Sequence, residues 1–150
     1  MRNTVTFISG AIVIVAFIYA TAPRYSGIII TDLAYNDAIE IESIAIKAAT
    51  RWKICGYGSS LPSVINIGEA EFITAPKRLT HVCAIADVNG NKITLNAKLP
   101  CPELDTVIAH EIGHLIGFDH VTDDDYCNFN RILASCGFKT ISGPPECRSF

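Results

Sequence analysis

The stretch HEIGHLIGFDH occupies residues 110–120 of the chain. His110 and His114 are four residues apart, so on a helix they lie on one face, about one turn from each other. A neutral imidazole is a good zinc ligand, and two of them at this spacing can hold one ion. Glu111 lies next to the first histidine, where its carboxylate can hold a metal-bound water. The stretch therefore predicts a helix that carries a metal site.

The residues that follow predict a third ligand. Gly117 comes three residues after His114, where a helix that ends needs a residue able to adopt a positive φ. The chain can then turn and bring His120 back to the ion. Three protein ligands leave the fourth position of a tetrahedral zinc site open for water, as in a catalytic site and unlike a closed structural one. The alternative is a buried helix that carries histidines by chance, and it leaves their register unexplained.

This pattern, H-E-x-x-H-x-x-G-x-x-H, resembles the motif of the metzincin zinc endopeptidases. The resemblance implies a zinc ion (Zn²⁺) held by His110, His114 and His120, which would lower the pKa of its bound water towards about 7. Glu111 would be the general base: it would accept a proton as that water attacks a peptide carbonyl, and pass it to the leaving amine. The implied function is zinc-dependent endopeptidase activity on extended protein substrates.

Length and charge are those of a small globular domain. The 150 residues allow one domain with its own core. The net charge of -3 is small and no basic stripe is present, so nucleic-acid binding has no support. We expect one metzincin-like catalytic domain over residues 25–150, a monomer that binds protein or peptide substrates.

The N-terminus predicts export. A long uncharged run with an apolar centre follows Arg2. Such a run is typical of a secretory signal, and it is also just long enough to span a bilayer. Ala20-Thr21-Ala22 has the form of a cleavage site, whereas Pro23 directly after it argues against cleavage. Residues 1–24 are therefore predicted to be a signal peptide or a signal-anchor. The catalytic domain would lie outside the cytoplasm, secreted or membrane-anchored, with no other contact with the membrane.

The cysteine count fits that compartment. An even number of cysteines is typical of disulfide-bonded domains in an oxidising environment, and the absence of C-x-x-C pairs argues against a zinc ribbon. Six cysteines allow 15 pairings, and Cys127 with Cys147 is the first pair to test. The six are Cys55, Cys83, Cys101, Cys127, Cys136 and Cys147.

Apolar periodicity predicts an α+β fold with a mixed sheet. A helix capped by Asn36 or Asp37 should end near Cys55-Gly56, and Asn89-Gly90 predicts a hairpin. The order of elements resembles a small metzincin domain, which implies a mostly parallel sheet with an antiparallel edge strand. The predicted strands are 26–31, 63–67, 69–74 (the least certain), 82–88 and 92–97, and the metal-binding helix is 103–116.

The resemblance also assigns a substrate-binding strand. In the family, a strand at the sheet edge lies over the active cleft, and an extended peptide can add to it through backbone hydrogen bonds. The matching residues here are Val82, Cys83, Ala84, Ile85 and Ala86.

One family feature is altered. Metzincins place a methionine in a turn beneath the zinc, and Asn130-Arg131-Ile132-Leu133-Ala134 resembles that turn with Leu133 in its place. An exchange of Met for Leu keeps the volume and usually costs less than about 1.5 kcal/mol. We therefore expect Leu133 to support the site from below.

Acidic residues near the motif leave two questions open. Asp119 would orient a ligand or be a solvated turn residue. The run Asp123-Asp124-Asp125 would bind calcium or form a solvated acidic loop. The alternative to a protease is a catalytically weak or inactive zinc-binding surface module, favoured by the missing methionine and opposed by the intact Glu111. Zinc-dependent hydrolysis of a small amide is a weaker third hypothesis.

Overall fold

The computed structural model describes residues 25–31, 33, 35–70, 82–97 and 103–140, which form an α+β fold with a four-stranded mixed sheet and three α-helices. Residues 1–24, the predicted leader, lie outside this part. None of the helices in the described part has the length and apolar character that a bilayer span requires. In chain order the elements are β1 (Ile28–Ile30), α1 (Tyr35–Trp52), β2 (Ile65–Ala70), β3 (Ala84–Asp87), β4 (Lys92–Asn96), α2 (Leu104–Leu115) and α3 (Asp123–Ser135).

The sheet has the order β1-β2-β4-β3. β1 pairs with β2 and β2 with β4 in parallel, whereas β3 pairs with β4 antiparallel and lies at the edge. The prediction of a mixed, mostly parallel sheet with an antiparallel edge strand is therefore confirmed. The predicted hairpin is confirmed too, because Asn89-Gly90 lies in the turn between β3 and β4.

One strand boundary was predicted wrongly. β2 runs without a break through Gly68 to Ala70, so no separate strand begins at Glu69. Gly68 is buried, and a Cβ there would lie 2.9 Å from Thr31 Oγ1. The glycine therefore allows close approach of the segment after β1 and does not end the strand. The rest of the predicted third strand lies outside the described residues.

α1 packs an apolar stripe against the sheet and α2. Ile41, Ala45, Ala48 and Trp52 are buried at helical spacing. The indole Nε1 of Trp52 donates to the Ala109 carbonyl at 3.0 Å, which ties the end of α1 to the middle of α2. A π-helical turn, Lys53–Tyr57, follows, and Gly56 adopts a φ of 104° where the helix was predicted to end.

Disulfides link the elements around this core. Cys55, after α1, is bonded to Cys136, after α3, across 81 residues. In the chain-entropy model a loop of that length stabilises the fold by about 4.5 kcal/mol. Cys83 and Cys127 are disulfide-bonded as well. The predicted pairing of Cys127 with Cys147 involves a residue outside the described part.

Candidate metal centre

The first two histidines lie on a helix that is almost wholly buried. Residues 106–113 and Leu115 of α2 are buried between α1 on one side and β3 on the other. His110 is 5% exposed and Glu111 is 8% exposed. The predicted helix 103–116 therefore matches α2 to within one residue at each end.

Gly117 adopts a left-handed conformation after α2, and the chain turns there so that His120 lies beside the helix. Gly117 has a φ of 101°, and its N–H donates to the His114 carbonyl at 3.0 Å. The Phe118 N–H donates to the Gly113 carbonyl at 3.0 Å. Asp119 is exposed, and its Oδ1 accepts from the His120 N–H at 2.7 Å. Asp119 thus orients the backbone of the third histidine.

The three histidines form one cluster that could hold a metal ion. One ring nitrogen from each of His110, His114 and His120 lies within 4.8 Å of the others. The Nε2 atoms of His110 and His120 are 3.1 Å apart. The Nδ1 of His114 lies 2.7 Å from the Phe118 carbonyl oxygen. A carbonyl only accepts, so Nδ1 carries the proton and Nε2 keeps its lone pair for an ion.

The surroundings of His110 and His114 favour the neutral, ligating form of both rings. Burial, followed by the charges of His114 and His120, lowers the pKa of His110 to about 3. Burial also lowers the pKa of His114, although the bond to Phe118 opposes that shift. Only a neutral imidazole offers a lone pair to a metal. His110 and His114 are therefore ready to bind an ion at neutral pH without first losing protons.

Glu111 has a different environment from an ordinary surface carboxylate. Burial raises its pKa to about 7, and a hydrogen bond donated by the Ala86 backbone partly opposes the shift. A carboxyl group with a pKa near neutrality can both accept and return a proton at that pH. The bond to Ala86 also connects α2 to the edge strand β3. The site thus combines a histidine cluster that could hold a metal ion and a buried carboxyl group.

The aromatic ring of Phe129 forms the floor of the histidine cluster, which the sequence did not predict. Its centroid lies 4.6 Å from the ring of His110, 5.4 Å from His114 and 6.2 Å from His120. Nδ1 of His110 is buried and has no hydrogen-bond partner among the described residues. Packing against Phe129 therefore fixes the orientation of this ring where a hydrogen bond does not.

Gly113 makes that packing possible. A Cβ at Gly113 would lie 2.3 Å from Cζ of Phe129 and 3.3 Å from Cζ2 of Trp52. Gly113, between His110 and His114, thus leaves room for the ring of Phe129. A small residue at this position was the available signal that a bulky group crosses the helix there.

The prediction of a turn at Asn130–Ala134 is wrong. The segment lies inside α3, and Leu133 is a fully buried core residue of that helix.

The helix α3 begins at a capping box in which Thr122 Oγ1 accepts from the Asp125 N–H at 3.2 Å. The alternative of an acidic loop is wrong as well, because Asp123, Asp124 and Asp125 form the first turn of α3. Among the described residues, the three histidines are the one group that could hold a metal.

A cleft of about 1220 Å³ opens over the cluster. Glu111 and all three histidines line it, together with the five residues of the predicted substrate strand, Val82, Cys83, Ala84, Ile85 and Ala86. Glu103 and Asp119 also line it, whereas its described lining contains no lysine or arginine. The structure thus brings the predicted ligands, base and strand to one cavity.

No protein-family model matches the chain, and neither does any curated protein or solved structure. The metzincin resemblance therefore depends on the residues of the motif.

Proposed function

We propose that this chain is a zinc-dependent endopeptidase of metzincin type. The observation that carries the proposal is the buried Glu111 directly beside a three-histidine cluster, in a cleft bounded by an edge strand. A domain that only binds metal has no need of an acid–base group at this position. A groove along a strand also suits an extended peptide better than a small molecule, which would need a closed pocket.

Zinc suits the donor set. Zn–N bonds of 2.0–2.1 Å in a tetrahedral site place ligand nitrogens about 3.3–3.4 Å apart, close to the 3.1 Å between His110 and His120. Three imidazoles with no carboxylate among them are typical of a catalytic zinc site with an open position. When bound, the ion supplies the Lewis acidity that activates water and polarises a peptide carbonyl.

Glu111 carries the proton in the proposed reaction. In its ionised form it accepts a proton from the attacking water, and it then delivers that proton to the nitrogen of the departing amine. The raised pKa near 7 suits both steps at neutral pH. The Ala86 N–H holds the carboxyl group beside β3, next to the proposed path of the substrate.

β3 binds the substrate in this proposal. Its one partner in the described sheet is β4, so its other edge faces away from the sheet. A peptide in extended conformation would pair with Val82–Ala86 through backbone hydrogen bonds. The side chain of Ile85 is 43% exposed and lines the cleft, where it can contact substrate side chains.

We further propose that the enzyme acts outside the cytoplasm as a monomer, secreted or held by its N-terminal segment. The disulfide Cys55–Cys136 and the bonded state of Cys83 and Cys127 support an oxidising compartment.

Glu111→Gln tests the proposal. Purified protein loaded with zinc is assayed on a library of peptides, beside Glu42→Gln as a control for the same substitution on the exposed face of α1. We expect Glu111→Gln to abolish hydrolysis while zinc stays bound, and Glu42→Gln to behave as wild type. A chelator should stop the wild-type reaction.

Three results would oppose the proposal. Unchanged peptide hydrolysis in Glu111→Gln would exclude the assigned base. Zinc binding by a wild type that cleaves no peptide would favour the non-catalytic surface module. Cleavage of small amides alone would favour the third hypothesis.

A further inference from the structure

We propose that Tyr126 donates a hydrogen bond to the substrate carbonyl oxygen as negative charge develops on it. The inference rests on the proposed endopeptidase function and adds a residue that the motif does not contain. Tyr126 enters the site from α3, whereas Glu111 enters from α2. Both side chains line the same cleft.

The ring of Tyr126 lies at the edge of the histidine cluster. Its centroid is 4.9 Å from the ring of His120, at an interplanar angle of 65°. It is 6.4 Å from the ring of His110. The side chain is half-buried, so one part packs on the cluster while another part meets the cleft. A substrate carbonyl held at the cluster would therefore lie near the phenol.

Asn130, one turn further along α3, holds the phenol in place. Burial raises the pKa of Tyr126, and a side-chain hydrogen bond with Asn130 opposes that shift. A bond that favours the phenolate is one donated to the phenol oxygen, so the Asn130 amide is the donor. A hydroxyl can accept one hydrogen bond and donate another. The contact with Asn130 is therefore compatible with a bond donated to substrate.

α3 is fixed along its length, which keeps Tyr126 in position before substrate arrives. The capping box at Thr122 holds its first turn, and Phe129 packs beneath the histidines. Cys127 is disulfide-bonded, and Cys136 joins the end of the helix to Cys55. A hydrogen-bond donor held in this way needs no reorganisation when charge develops, which is the condition for strong electrostatic stabilisation.

The reaction step balances without a proton from Tyr126. The water oxygen forms a bond to the carbonyl carbon, the carbonyl π pair moves onto its oxygen, and Glu111 takes the proton from the water. The carbonyl then re-forms, the C–N bond breaks, and the nitrogen takes the proton from Glu111. Tyr126 keeps its proton and strengthens its hydrogen bond while the oxygen is negative. Removal of one such donor lowers kcat by about 10²–10³-fold in known cases.

Tyr126→Phe is the test, with Tyr57→Phe as the matched loss of a phenol oxygen. The ring of Tyr57 packs on the rings of Trp52 and Phe118, with centroids 5.4 Å and 5.1 Å apart, and Tyr57 does not line the cleft. We measure kcat and KM on a cleaved peptide, zinc content, and the affinity for a phosphinic peptide by calorimetry. A phosphinic peptide carries a tetrahedral, negatively charged group in place of the reacting amide, so it reports the donated bond without turnover.

In Tyr126→Phe we expect kcat to fall about 10²-fold, with KM and zinc content unchanged. Affinity for the phosphinic peptide should fall, while affinity for the ordinary peptide, measured in a Glu111→Gln background, should stay the same. Tyr57→Phe should match wild type in each measurement.

The outcomes separate the two proposals. Wild-type kcat and wild-type phosphinate affinity in Tyr126→Phe would overturn the role of Tyr126 and leave the endopeptidase proposal standing. Loss of zinc from Tyr126→Phe would also overturn it, because the residue would then support the metal site. A wild type that neither cleaves peptides nor binds the phosphinic peptide would overturn the proposed function, and the role of Tyr126 with it.

Discussion

α2 and α3 both contribute to the candidate site, yet they are held by different forces. α2 has no side-chain cap at its N-terminus, where Glu103 adopts a φ of 59°, and it is positioned by burial along most of its length. α3 has a capping box, an exposed acidic first turn and disulfide-bonded cysteines, and it buries Cys127, Phe129, Asn130 and Leu133. The comparison indicates that the position of His110 and His114 depends on the core, whereas the position of α3, which supports them, depends on its cap and its cross-links.

The largest effect should come from removing the contact that joins the two helices. Phe129→Ala deletes a ring that packs on all three histidines, and loss of a buried phenylalanine usually costs about 3–5 kcal/mol. We expect a lower free energy of unfolding by urea and weaker zinc binding. Phe129→Leu serves as the milder control. Normal zinc affinity in a folded Phe129→Ala would show that α3 does not support the ligands.

In the metal-free protein, the pH dependence of stability should show opposite contributions from His110 and Glu111. Folding lowers the pKa of His110 from 6.5 to about 3, so the unfolded chain takes up that proton first and stability falls as the pH drops below about 6.5. Folding raises the pKa of Glu111 from 4.5 to about 7, which has the opposite sign and lowers stability as the pH rises through that range. Between about pH 4.5 and 6.5 the two effects oppose each other.

A metal-free Glu111→Gln variant should therefore lose stability steadily from about pH 6.5 to pH 3, by a few kcal/mol. In the wild type, the free energy of unfolding should change less with pH over the upper part of that range. Urea unfolding at a series of pH values measures both. If the free energy of unfolding of Glu111→Gln changed as little with pH as that of wild type, the shifted pKa values of His110 and Glu111 would be contradicted.

A smaller loss should follow from filling the space between the helices. Gly113→Ala places a methyl group 2.3 Å from the Phe129 ring, and overpacking of this kind usually costs about 1–3 kcal/mol. Thermal unfolding of Gly113→Ala beside Gly113→Ala/Phe129→Leu tests the cause. If the clash is the reason, the second substitution should reduce the penalty that the first one imposes, and simple addition of the two losses would argue against it.

The smallest effect concerns the cap of α3. Thr122→Ala removes the oxygen that accepts from Asp125 N–H, and loss of such a cap costs about 1 kcal/mol. Thermal unfolding should show a modest decrease, and Thr122→Ser should restore most of it. A loss of several kcal/mol would mean that α3 depends on its cap more than on its cross-links.

The same contrast explains what the sequence could predict. The three histidines, Glu111 and Gly117 follow from spacing along one helix and its end, which are local properties, and the structure brings their side chains or backbone to one cleft. Phe129 reaches the cluster only because the fold packs its side chain on α2, which is a tertiary relation without a local signature. The capping box of Thr122 and Asp125 is a local signal for that helix, but an acidic run beside the motif also fits a calcium site or a solvated loop.

Strand boundaries show the same limit. The hairpin at Asn89-Gly90 was predictable because its turn chemistry is local. The length of β2 was not predictable, because Gly68 is required by the close approach of Thr31, a residue far away in sequence.

The disulfide Cys55–Cys136 has a consequence for the proposed endopeptidase activity. The sheet strands β2 to β4 and the whole of α2 lie between the two bonded cysteines. A single self-inflicted cut anywhere in that interval leaves both pieces covalently joined. Autolysis by the proposed enzyme would therefore appear on a gel only after reduction.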